Sequence, residues 1–379
     1  MTPEIRPPVE NLRICGAQPL VSPAALANQL PLDDAGAAFV AGSRRAVEDI
    51  ILGRDDRLLL VVGPCSIHDP EAALDFARRL AGVAGQHAGD LCVVMRAYLE
   101  KPRTILGWKG LIHDPGLDAS FQVNRGLRLA RQLLLDLVAL RLPAATEFLE
   151  ATIGQYYAEL VTWGVIGART VESQVHRALA SGLSMPVGFK NRTDGDVAVA
   201  VDGLRSARQP HWFASVTKDG VPAMLSTAGN DRGHLVLRGG RQGTNYSADE
   251  IRRAVDLLRA AGLPPRVMVD CSHGNSGRDP GRQPLVAADV AAQVAAGSDA
   301  ICGVMLESNL VGGAQDGRIC PLAYGCSITD PCLAWEDTLP VLARLAAAVR
   351  ERRAGARPDA PLPLDAGRRA APVLAAHGG

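Results

Sequence analysis

Residues able to do chemistry recur at the ends of short apolar runs. Leu58–Gly63 leads into GPCSIHDP, which carries Cys65 and His68, and Cys92–Ala97 leads into MRAYLEKPRT, with Arg96, Lys101, Arg103 and Thr104. Ala144–Phe148 holds Glu147, Val165–Ala168 runs into GART with Arg169, and Pro186–Lys190 ends on Lys190. Leu235–Arg238 ends on Arg238, Val267–Cys271 opens DCSHGNS with His273, and Ile301–Leu306 is followed by Glu307. The SITDP segment adds Asp330. Six cations (Arg96, Lys101, Arg103, Arg169, Lys190, Arg238) brought to one place would repel each other unless phosphates or carboxylates filled the space between them. Cys65, His273, Glu307 and Asp330 form a different set: one thiolate, one imidazole and two carboxylates. That mixture suits one borderline divalent ion, Mn, Fe, Co or Zn, better than Mg or Ca. Alone, each residue is weak evidence, since a solitary buried Cys is usually a small hydrophobe. Their recurrence at successive run ends is what counts.

The elements that must position them follow from periodicity. Helical spacing appears at Ala35–Leu52 (stopping at Gly53), Pro70–Ala84, Phe121–Leu140, Val171–Ser181, Ser247–Ala261 and Leu285–Ala296. Eight continuous apolar strands alternating with such helices predict an α/β fold, a parallel (β/α)8 TIM barrel with its site at the C-terminal strand ends. No Gly-rich fingerprint follows the first strand, which speaks against a dinucleotide fold. Trp212–Thr217 and Pro222–Thr227 flank Lys218-Asp219-Gly220, a hairpin inserted before the sixth barrel strand, spanning about 211–232. The expected organisation is an N-terminal arm and helix over 1–56, the catalytic barrel over 57–352 and a disordered Ala/Pro/Arg tail over 353–379. The arm is expected to contain a brief strand and helical turns, and to serve subunit contacts.

Composition narrows the function classes. Of 379 residues, 47% are hydrophobic and 21% charged, enough apolar material for a large core. Lys+Arg and Asp+Glu are both 40, so no global field points to nucleic acid or an acidic membrane. No apolar run is long enough to span a bilayer, and the first thirty residues read as no signal peptide. The eight cysteines lack framework spacing, which predicts reduced thiols and a cytoplasmic protein. Only four lysines stand against 36 arginines, and two of the four, Lys101 and Lys190, fall among the candidate site residues.

The longer motifs resemble a family. GPCSIHDP, RAYLEKPRTILGWKGLIHDP, IGARTVESQVHRALASGLSMPVGFKN, SVTK, LRGG, DCSHGNS, GVMLESNLV and AYGCSITDPCLAWEDT, spread from about residue 10 to 352, are similar to the type I 3-deoxy-D-arabino-heptulosonate 7-phosphate (DAHP) synthases, the aromatic-amino-acid-regulated class. The resemblance implies a metal-dependent condensation of phosphoenolpyruvate with erythrose 4-phosphate and water, giving DAHP and phosphate. By motif it assigns Cys65, His273, Glu307 and Asp330 to the metal. It assigns Arg96, Lys101, Arg169, Lys190 and Arg238 to phosphoenolpyruvate with Glu147 nearby, and Arg103 and Thr104 to the sugar phosphate. Lys101, Arg96, Glu147 and Lys190 are the expected catalytic residues. It also implies an aromatic amino-acid effector near Phe148, Gln155, Leu179, Ser184, Phe213 and Ser215, while the N-terminal arm and the hairpin, suited to subunit contacts, predict a homodimer or homotetramer. Ala151 and Gly154 are smaller than that pocket leads one to expect. Cys332, two residues past Asp330, is expected to approach Cys65. The rival reading is the sister condensation with a five-carbon sugar phosphate, and KPRT with GWKG argues against it.

Overall fold

Strands that are apolar on both faces need cover on both sides, and a closed barrel ringed by helices supplies it. The computed structural model describes residues 9–355. The chain opens with α1 (Pro23–Gln29) and α2 (Asp34–Ile51), then enters the barrel with β1 (Leu58–Gly63), α3 (Pro70–Gln86), β2 (Leu91–Arg96) and α4 (Val123–Ala139). It continues through β3 (Ala144–Glu147), β4 (Trp163–Ile166), α5 (Gln174–Gly182), β5 (Val187–Lys190) and α6 (Ala198–Ala207). The hairpin β6 (Trp212–Val216) and β7 (Pro222–Ser226) follows, then β8 (Gly233–Leu237), α7 (Ala248–Ala260) and β9 (Val267–Asp270). The short α8 (His273–Ser276), α9 (Gln283–Ala295), β10 (Ile301–Asn309), β11 (Leu333–Ala334) and α10 (Trp335–Gly355) complete it.

The sheet order is β1-β2-β3-β4-β5-β8-β9-β10, all parallel, and β10 pairs back onto β1 to close an eight-stranded barrel. β6 and β7 form a separate antiparallel pair between α6 and the sixth barrel strand. Alternation along each strand divides the core in two. Leu58, Leu60 and Val62 pack outward beneath the helices, while Leu59 and Val61 point into the barrel with Val94, Trp163, Val236 and Met305. Val47, Ile50 and Ile51 of α2 join that inner group, so α2 plugs the N-terminal end of the barrel. The opposite end is thereby left as the open one.

Two local expectations are not met among the described residues. The arm holds no strand among the described residues 9–22. Its backbone is instead met by one side chain of α4: Asn124 accepts from the Val21 N–H and donates to the Pro19 carbonyl. The helix before the tail also runs to Gly355 rather than stopping at 352, because Arg353 reaches back to Asp56 at 2.6 Å and to Asp90 at 2.7 Å. The rest of the expected tail, 356–379, lies outside the described residues.

Candidate active site

Strand register decides which residues meet. Gly63 is aligned with Glu307, so Cys65, two residues further on, emerges beside that carboxylate. Met305 is aligned with Asp270, which brings the end of β9 to the same place. Arg96 ends β2 and is 1% exposed. Its Nη2 donates to Glu307 Oε1 at 2.7 Å and to the Cys65 carbonyl at 3.1 Å, and its Nε donates to the Pro64 carbonyl at 3.0 Å. The guanidinium carbon lies 3.6 Å from the centre of the Tyr98 ring. Removed from water, this cation keeps its charge because every face of it has a partner.

Lys101 stands at the seam between the cations and the metal-type donors. Its Nζ is 2.8 Å from Cys65 Sγ. One ligating atom from each of Cys65, Glu307 and Asp330 lies within 4.8 Å of the other two, and His273 Nε2 lies 3.6 Å from Glu307 Oε1. Burial pushes the Glu307 carboxyl up, but the charges of His273, Arg96 and Lys101 outweigh it and hold the group down at about 2. Burial and the Glu307 charge push the Cys65 thiol up, against the pull of Lys101 and Arg96. The sulfur therefore needs further positive charge to ionise, which a divalent ion among these donors would provide. In charge and spacing Cys65, Glu307 and Asp330 fit such an ion, while His273 joins them through its 3.6 Å approach to Glu307 alone.

Asp270 organises the far side. It is fully buried, and its Oδ2 lies 2.8 Å from Lys190 Nζ and 3.0 Å from His273 Nδ1. Its Oδ1 accepts from the backbone N–H and hydroxyl of Ser272. With Nδ1 facing Asp270, the His273 nitrogen turned toward Glu307 is Nε2, the arrangement expected of a ligating imidazole with an outer carboxylate. Burial lowers the Lys190 pKa despite the partner carboxylate.

These groups line a cavity of about 320 Å3 at the open end of the barrel. Arg96, Lys101, Arg103, Thr104, Glu147, Arg169, Lys190, Arg238, His273 and Asp330 all border it, and Cys65 and Glu307 are buried beside it. Arg169 Nε donates to Thr104 Oγ1 at 3.1 Å, tying the KPRT loop to the end of β4. A neighbouring cavity of about 930 Å3 shares Arg103, Arg169 and Arg238, and Arg278 borders both. Glu147 fits where it does because Gly167 has no side chain: a Cβ there would lie 1.9 Å from its Oε1. Sequence reasoning passed over Asp270, Tyr98 and Arg278. Asp270 was findable, since it heads the DCSHGNS motif that supplied His273. Cys332 does approach Cys65, whose backbone N–H donates to its sulfur at 3.3 Å.

A second cavity, of about 880 Å3, opens between the segment after β3, α5 and the hairpin. Gln155, Leu179, Ser184 and Phe213 line it, together with Ala151 and Gly154. Phe148 and Ser215 do not line it. Phe148 is fully buried, stacked on Tyr157 with centroids 5.9 Å apart, and Ser215 spends its hydroxyl on the Ala151 carbonyl at 2.8 Å.

Residues 31–343 match the model of the DAHP synthetase I family. The chain belongs to this family. It is 53% identical over 347 residues to the Phe-sensitive phospho-2-dehydro-3-deoxyheptonate aldolase of Escherichia coli K12, covering 91% of this chain and 98% of that protein. It is 51% identical to the Trp-sensitive enzyme of Enterobacter agglomerans, covering 90% and 99%. A solved phospho-2-dehydro-3-deoxyheptonate aldolase from Francisella tularensis SCHU S4 superposes with a TM-score of 0.88 at 50% identity, over 90% of this chain and 99% of that one. Membership in the DAHP synthetase I family carries its activity, DAHP synthesis at the first step of the shikimate pathway. No helix of the described residues is long and apolar enough to cross a membrane.

Proposed function

We propose that the 320 Å3 cavity holds phosphoenolpyruvate and erythrose 4-phosphate together, and that the residues around it divide the work as follows. Arg96, Lys101, Arg169, Lys190 and Arg238 hold phosphoenolpyruvate through its phosphate and carboxylate, while Arg103 and Thr104 take the phosphate of the sugar. Cys65, His273, Glu307 and Asp330 would hold one divalent ion, Mn, Fe, Co or Zn, whose chemistry when bound is Lewis acidity toward the sugar aldehyde. The Lys101–Cys65 contact of 2.8 Å carries the reading, because it puts the anion-binding cations directly against the metal-type donors.

Fixing both phosphates aims C3 of the enol phosphate at the aldehyde carbon, turning a two-body encounter into an oriented one. The new C–C bond leaves positive character at C2, where water adds. The aldehyde oxygen, left as an alkoxide by the new bond, takes up a proton, and Glu147 on the cavity wall takes the one that water gives up. Phosphate then departs by C–O cleavage, with Arg169, Lys190 and Arg238 stabilising the charge on the leaving group. The 880 Å3 cavity, with Leu179 and Phe213 as apolar walls and Gln155 and Ser184 as polar groups, is proposed to take an aromatic amino-acid effector. Exposed Trp212, Val221 and Met224 on the hairpin suit a subunit contact within a homodimer or homotetramer.

The test is phosphate release from both substrates, with and without chelator, and then with each aromatic amino acid added. Chelation should abolish turnover, and replacing erythrose 4-phosphate with a five-carbon sugar phosphate should give little. Lys101→Ala should lower kcat by at least ~100-fold with an unchanged circular dichroism spectrum. A well-folded variant of near-parental activity would remove Lys101 from the mechanism.

A further inference from the structure

A second group of metal-type donors lies outside the lining of the 320 Å3 cavity. One ligating atom from each of Glu100, His113 and Glu150 lies within 4.8 Å of the other two. They come from separate segments: Glu100 precedes the KPRT loop, His113 follows GWKG, and Glu150 lies three residues past the end of β3. His113 Nε2 is 2.9 Å from Glu150 Oε1. Glu100 is 1% exposed, and the hydroxyl of Tyr157 donates to its Oε2 at 3.1 Å.

The polar atoms left over point to a ligand. Glu100 Oε1 is buried and has no hydrogen-bond partner, and neither does the buried Nδ1 of His113. A buried carboxyl with an open oxygen is costly unless something supplies positive charge or a proton. Burial, then the charge of Glu150, pushes Glu100 up to about 8, the behaviour of an acid whose partner is missing. The partners its carboxyl does have are neutral, the Tyr157 hydroxyl and the Leu149 backbone N–H, so neither supplies the missing positive charge.

We propose that Glu100, His113 and Glu150 form a second divalent-cation site, separate from the Cys65 donor set. One imidazole and two carboxylates suit the same borderline ions, Mn, Fe, Co or Zn, without sulfur. The ammonium of Lys109 also acts on Glu150 and would oppose a cation there, so affinity below that of the Cys65 set is expected. A bound ion would tie the residue before Lys101 to the segment that begins the wall of the 880 Å3 cavity at Ala151.

Cobalt(II) is the probe, because sulfur ligation is visible in its spectrum. The metal-free full-length chain is dialysed against excess cobalt and analysed for bound metal. Two equivalents per chain are expected, one with thiolate-to-cobalt charge-transfer absorption and one with ligand-field bands alone. Glu150→Gln and His113→Asn should each remove the sulfur-free equivalent and keep the other. Cys65→Ser should abolish the charge-transfer band and keep the sulfur-free equivalent. Glu150 is largely exposed (55%), so its substitution leaves the fold intact. A parent chain that takes up one equivalent with sulfur absorption overturns the second site and leaves the Cys65 set untouched. So does a sulfur-free equivalent that survives both Glu150→Gln and His113→Asn.

Discussion

At the barrel mouth each charged group sets the protonation of the next. Arg96 and Lys101 keep Glu307 ionised, while Asp270 turns His273 and faces Lys190. Small residues matter as much as charged ones here. Gly167→Ala would drive a methyl into the Glu147 carboxylate, 1.9 Å from Oε1. A circular dichroism spectrum like the parent's, with turnover down ~10-fold or more, is the expected result. Glu100 makes a pH prediction for the metal-free chain. Its carboxyl ionises near the ordinary 4.5 when unfolded and at about 8 when folded. Between those values the folded state holds the extra proton, so stability falls as pH rises through the window and levels off above it. Glu100→Gln lacks that loss. Its stability relative to the parent should therefore climb by a few kcal/mol between about pH 4.5 and 8, read by urea titration in the presence of chelator.

Among elements, the ones that matter most to the site are those that close its surroundings. α2 fills the bottom of the barrel with Val47, Ile50 and Ile51, starting from Asp33, whose side chain caps the Gly36 N–H at 2.7 Å. Besides Asn124, α4 has a buried side chain that ties the N-terminal elements to the segment after β3. Arg131, 1% exposed, donates to the carbonyls of Leu30 and Tyr156, both at 2.8 Å, and pairs with Glu159 at 2.7 Å. Arg131→Met should cost about 3 kcal/mol, because three buried or half-buried acceptors lose their donor. The check is a lower denaturation midpoint with an unchanged m-value. Elements were legible in the sequence where the apolar run was uninterrupted: β1 occupies Leu58–Gly63, as its composition predicts. The arm was not legible, because its backbone hydrogen bonds go to Asn124, a residue over a hundred positions away.

For the molecule as a whole, the metal-type donors come from the ends of β1 and β10, the segment after β9 and the loop before β11. No local segment contains the site, so an ion bound there contributes to the stability of the entire barrel. Adding Mn(II) to metal-free protein at a hundredfold excess over Kd should stabilise it by about 2.7 kcal/mol. A rise in Tm that depends on Mn(II) concentration is expected, and Cys65→Ser should lose the larger part of it. An unchanged Tm in the parent would mean that the four donors do not act on one ion.

The alternation of apolar strands with helices was enough to predict a barrel, and with it that cations and metal-type donors at the strand ends gather on one side, because a parallel sheet sends all those ends the same way. Sequence could not reveal that Asp270 aims His273, that Phe148 and Ser215 stand behind the second cavity rather than in it, or that Glu100 is left with an open oxygen. Those outcomes depend on side-chain direction and on which distant segment arrives alongside. Only packing in three dimensions decides them.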